Sequence, residues 1–262
     1  MRPLVRRLVA PAVDVQSCLT STVADSPKPW TRLLQLLLGV AAAWWIYVPT
    51  HELLHAAGCL LSGGVVRTVT IAPLYGGVIL SHWLGSVQPG GDYAGRLSDF
   101  STHHSDIRYL AIDGAPYLLS LFAGVPLLRL AIRRRSTLLA GPALVLALAP
   151  FLSLTGDYYE MGSIVVTRAV APFDQSPETW EIPGGAMKLR SDDLPSLIGR
   201  IARDPGRFTA EIPGRGLGAV AIVAISFGLG VGLALMTYEA SGWMSRWLLS
   251  PLRSGEEALL GG

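Results

Sequence analysis

Four apolar blocks constrain this chain more than any other feature: residues 33–61, 109–132, 138–154 and 217–238. Each can cover a hydrocarbon core of about 30 Å, which takes roughly 20 helical residues. A backbone inside hydrocarbon must satisfy its own polar groups, so blocks of this length read as membrane helices. Half of the 262 residues are apolar, 15% are charged and the mean hydropathy is +0.43, a composition that excludes an ordinary soluble domain. A formal charge of +2, with basic residues gathered at span ends, gives no footing for a nucleic-acid partner. The expected class is an all-α polytopic membrane protein with about four transmembrane helices, surrounded by a lipid bilayer.

The first 30 residues hold Arg2, Arg6 and Arg7 but no apolar stretch long enough for a secretory signal, so the first span is expected to remain as an anchor. Arg2, Arg6, Arg7, Lys28 and Arg32 precede that span, Arg133, Arg134 and Arg135 follow the second, and Arg246 and Arg253 follow the fourth. By the positive-inside rule both termini are expected in the cytoplasm, in a multi-pass protein of the plasma membrane. Trp30, Trp243 and Trp247 fall at span ends and read as interfacial anchors, as do Tyr158 and Tyr159. Cys18 lies in the leader and Cys59 in the first span, so they are read as small buried side chains and not as a disulfide. The expected division is a leader over 1–30, a core over 31–171 with spans at about 33–61, 109–132 and 138–155, an extramembrane loop over 172–215, and a fourth span with its tail over 216–262.

Ionisable groups stand out against this apolar background, because each costs roughly 2.5 to 3.5 kcal/mol on insertion scales and is functional by default. The first span carries His51-Glu52-Leu53-Leu54-His55. Histidines four residues apart share one helical face and can grip one metal ion, while the glutamate beside them can take a proton from a bound water. His51 lies about 27 Å along the helix from Leu33, near the far boundary of the bilayer. Asp113 opens the second span and Asp157 closes the third, so three spans bring polar groups to one depth.

A catalytic zinc takes three protein ligands and leaves one position open, so a third ligand is required. Asp157 is the first choice, because a carboxylate from another helix closes the site across the bundle. Asp113 is the second choice, with a role in orienting a histidine or in helix packing as its alternative, and Glu160, His82, His103 and His104 remain open.

Between the first two spans, residues 65–71 and 76–80 are β-branched runs around Ala72-Pro73-Leu74-Tyr75 and predict a short membrane-associated β-hairpin. Residues 85–106 predict a polar loop. An amphipathic helix is expected over 194–202, capped by Ser191 or Asp192.

Across about residues 44–165 the chain resembles the site-2 protease family of intramembrane zinc metalloproteases. The resemblance is carried by His51-Glu52-Leu53-Leu54-His55, by Gly63-Gly64 before the predicted hairpin, by Gly114-Ala115-Pro116 in the second span and by an aspartate on the third. Thr155-Gly156-Asp157-Tyr158 stands where the family usually has an Asn-Pro-x-x-Asp-Gly-like element. The family's centre also usually lies toward the cytosol, whereas the arginines here put it outside. The resemblance implies a three-helix metalloprotease core, a Zn2+ held by His51, His55 and Asp157, Glu52 as the residue that activates water, and a transmembrane protein segment as substrate. It also implies that an unwound substrate pairs as an added strand with the hairpin. The rival readings are an inactive membrane scaffold of the same fold and a metal transporter; a transporter would be expected to show repeated halves, and the sequence has none.

Overall fold

A computed structural model describes residues 3–91, 93–173 and 185–248. Part of the expected 172–215 loop and the tail after residue 248 therefore lie outside the described residues. The described residues are mostly helical, 75%, with a small three-stranded sheet. The helices in chain order are α1 (Pro3–Leu19), α2 (Pro29–Leu61), α3 (Gly77–Ser81), α4 (Asp106–Gly114), α5 (Tyr117–Leu119), α6 (Val125–Arg134), α7 (Thr137–Leu152), α8 (Asp157–Val170), α9 (Leu194–Arg203), α10 (Pro205–Thr209) and α11 (Arg215–Leu248).

Among the described residues, three helices are long and apolar enough to cross a membrane: α2, the stretch Thr137–Phe173 that joins α7 to α8, and α11. The expected second span is not one straight helix. Asp106–Gly114 and Tyr117–Arg134 meet at a 50° bend, and together they could make a fourth crossing. Pro116 explains the break, because it has no amide hydrogen and its ring disfavours a helical turn before it. A π-helical turn, Ser120–Gly124, follows between α5 and α6. The expected third span also differs: the helix ends at Leu152, and a new one begins at Asp157 inside the same apolar stretch.

Residues 3–19, part of the expected leader, form an amphipathic helix docked on the bundle. Cys18 of α1 is buried with Leu36, Leu128 and Tyr238, and the Tyr238 hydroxyl donates to Asp14 at 2.9 Å. Burial raises the Cys18 thiol pKa. Cys59 is buried in a second cluster, between α2 and the sheet, with Val69, Ile71 and Leu97. Both cysteines are free and buried, as expected of packing residues.

The sheet has the order β2-β1-β3, from β1 (Val65–Ile71), β2 (Val87–Pro89) and β3 (Gly95–Ser101). The strand over 65–71 forms as expected, but 76–80 does not pair with it. Pro73 opens a 3-10 turn and the chain winds into α3, with the Leu80 amide donating to the Gly76 carbonyl. The antiparallel partner of β1 is β3, with Val69 opposite Leu97, and β2 adds in parallel on the other side. Both come from the segment expected as a polar loop. Sheet pairing overrode β-propensity, as it does wherever tertiary contacts decide.

Trp30, Trp243 and Trp247 are exposed, in keeping with an interfacial role. Tyr158 and Tyr159 are not interfacial anchors. They are 1% and 0% exposed, and their hydroxyls donate to Thr237 at 2.8 Å and to the Leu189 carbonyl at 2.9 Å. A phenol with a buried acceptor has no need of the interface.

Candidate metal centre

His51 and His55 project from one face of α2, as a spacing of four residues dictates. Their Nε2 atoms are 3.0 Å apart. Asp157 Oδ2 lies 3.1 Å from His51 Nε2 and 3.6 Å from His55 Nε2. One ligand atom from each of the three residues lies within 4.8 Å of the others, and among the described residues they form the one such group of three or more. A tetrahedral ion with bonds of about 2.0 to 2.1 Å needs ligands spaced by about 3.3 to 3.4 Å. The donor set and its spacing therefore fit a zinc-sized ion.

Supporting hydrogen bonds aim each group inward. The His55 Nδ1–H donates to the Ile112 carbonyl at 2.8 Å, which leaves Nε2 with its lone pair toward the centre. His51 Nδ1 pairs with the Tyr47 hydroxyl at 2.8 Å. The Tyr117 hydroxyl donates to Asp157 Oδ2 at 2.5 Å. Tyr47 was legible in principle, since it precedes His51 by one helical turn. Tyr117 comes from another element, and nothing in its local sequence marks it.

Asp157 is delivered by packing. It is the first residue of α8, which crosses α11 so closely that a β-carbon on Gly162 would collide with the Ser226 carbonyl. Glu52 follows His51 and turns toward the sheet, where its side chain fills the space beside Gly95 of β3. A β-carbon there would clash with the glutamate, so a glycine at this position is a steric requirement.

Glu52, His55 and Asp157 line one cavity of about 430 Å³. Its other walls are β3, the acids Asp113 and Glu160, and the segment 190–193. Two polar bridges span its outer rim: Arg96 to Asp192 at 2.9 Å, and the Tyr93 hydroxyl to Asp193 at 2.9 Å. Asp193 also caps α9, accepting from the Ser196 amide at 2.9 Å, so the cap is Asp193 and neither Ser191 nor Asp192. The helix itself lies where the sequence placed it.

Of the alternative third ligands, Asp113 and Glu160 reach this cavity without joining the three-residue group. His82, His103 and His104 are exposed and stay outside both. Cys59 faces the carbonyls of Val65 and Ser101 on the sheet side of α2. No protein-family model, curated protein or solved structure matches the chain.

Proposed function

We propose that this protein is a zinc-dependent intramembrane endopeptidase of the site-2 protease kind, acting on transmembrane protein substrates. The observation that carries the reading is the convergence of His51, His55 and Asp157 in the apolar part of the bundle, with Glu52 in the same cavity. A metal transporter would be expected to supply ligands from several sites along a path, and the described residues hold one such group. The arginine distribution favours cytoplasmic termini, hence a site in the outer half of the membrane, and the plasma membrane is the proposed location.

Zinc, when bound, lowers the pKa of a coordinated water to about 7 and polarises a carbonyl. His51, His55 and Asp157 would hold it. Glu52 accepts the proton of the attacking water and returns it to the leaving amine, the work of a general base and then a general acid. Gly95 keeps the glutamate against β3 while leaving it open to the cavity. β3 is an edge strand along that cavity, so an unwound peptide pairs with it as an added strand, in place of the 65–80 hairpin that the resemblance implies.

The test is to purify wild type and Glu52→Gln, measure bound zinc, and follow cleavage of a transmembrane peptide. Zinc retained in both, with cleavage reduced by about 10²- to 10⁴-fold in the variant, is the expected result. Zinc bound with no cleavage by wild type points to the inactive scaffold. Equal cleavage by both forms removes Glu52 from the chemistry.

A further inference from the structure

Asp113 and Glu160 line the same cavity as Glu52, His55 and Asp157, approaching from α4 and α8. They are only 3% and 8% exposed. The Tyr109 phenol lies against the Glu160 carboxylate. Asp113 Oδ2, by contrast, is buried with no hydrogen-bond partner. Buried polar atoms in folded proteins are almost always paired, so an orphaned carboxylate oxygen on a residue that lines a cavity points to a partner outside the chain.

Of the three arginines that line the cavity, Arg96, Arg190 and Arg200, two are already committed. Arg190 binds both oxygens of Asp106, at 2.7 and 3.1 Å, and its Nε donates to Thr167 at 2.7 Å. Arg96 pairs with Asp192. Among the described residues, no Lys, Arg or His forms an ion pair with Asp113 or Glu160.

A second metal ion fits this pair poorly. Metal sites draw on several converging ligands, and neither acid belongs to a group of three. Two carboxylates from two helices suit a cation that brings several N–H donors of its own, an ammonium or a guanidinium.

We propose that Asp113 and Glu160 form a pocket for a basic side chain, lysine or arginine, of the peptide that enters the cavity. That the occupant is a peptide rests on the peptidase reading above. The pocket discriminates because a substrate without the basic group leaves Asp113 unpaired, and unpaired buried polar groups are what make hydrogen-bonding sites selective.

The test reads binding, on the full chain purified in detergent as Glu52→Gln. Four N-acetylated, C-amidated fluorescent peptides, apolar except for one lysine at four successive central positions, are compared with norleucine counterparts by anisotropy. At one position or more, the lysine peptide is expected to bind about tenfold tighter, equivalent to about 1.4 kcal/mol. Asp113→Asn with Glu160→Gln should abolish that preference without changing bound zinc, and each single substitution should reduce it, which decides the matter if the double variant does not fold. Equal affinity for lysine and norleucine at all four positions would overturn the pocket. So would a preference that survives the single and double substitutions, or a second zinc per chain that they remove. Wild type that cleaves nothing while the lysine preference stands removes the peptidase and leaves the pocket. Cleavage of wild-type substrates without any lysine preference in binding does the reverse.

Discussion

The two halves of the candidate centre are built by different means. α2 presents His51 and His55 from one uninterrupted helix, so their relation follows from the helical repeat alone. Asp157 stands at a helix break and meets them only because α8 is pressed against α11 and Tyr117 holds its carboxylate. One half is local geometry and the other is tertiary assembly. Metal affinity should therefore respond to changes in bundle packing mainly through the aspartate.

Asp157→Ala gives the sharpest break in this comparison. Losing even an outer partner of a metal ligand costs about 10- to 100-fold in affinity, so losing the ligand should exceed about 100-fold. Competition against a chelator would measure it, and unchanged zinc affinity would shift the third position to Glu160 or Asp113. Next in size is Gly162→Ala, whose methyl group forces α8 away from α11 at a cost of about 1 to 3 kcal/mol. Thermal unfolding in detergent should show the loss, and a zinc titration should show weaker binding alongside it. Lower stability with zinc binding intact would mean that α8 delivers Asp157 independently of α11.

Asp193→Ala, outside both halves of the candidate centre, should cost only about 1 kcal/mol by removing the cap of α9, and leave zinc affinity unchanged. The Ser196 amide beside Asp193 holds its carboxyl below the usual carboxylate range. A depressed carboxyl contributes stability that is present above its unfolded pKa of about 3.9 and lost as pH falls through the folded value. The difference in unfolding temperature between wild type and variant should accordingly be full at pH 7 and shrink below about pH 4. A difference that persisted at low pH would assign the effect to packing and not to the ionised cap.

The same division governs what the sequence could disclose. His51, Glu52 and His55 are legible because helical spacing is a local rule, and Asp157 because an acid in an apolar stretch is conspicuous. β3 is hidden by its own alternation: Leu97 is buried while Arg96, Ser98 and Asp99 are exposed, so one side of a strand reads as a polar loop. Tyr158 and Tyr159 look like interfacial residues until Thr237 and the Leu189 carbonyl are known to receive their hydroxyls. The cavity shared by Glu52, Asp113 and Glu160 comes from the meeting of α2, α4, α8 and β3, which no window of sequence contains.

The bend in the second apolar segment reaches further than the helix that carries it. In an unbroken helix the amide of residue 116 would occupy the carbonyl four residues back, at Ile112. A proline cannot, and the vacant acceptor is taken by the imidazole of His55, with the Ala115 amide sharing it at 3.3 Å. The gap in one helix's ladder is thus the socket that orients a side chain of another. The angle of a candidate metal ligand on α2 is written some sixty residues away, in the choice of an imino acid.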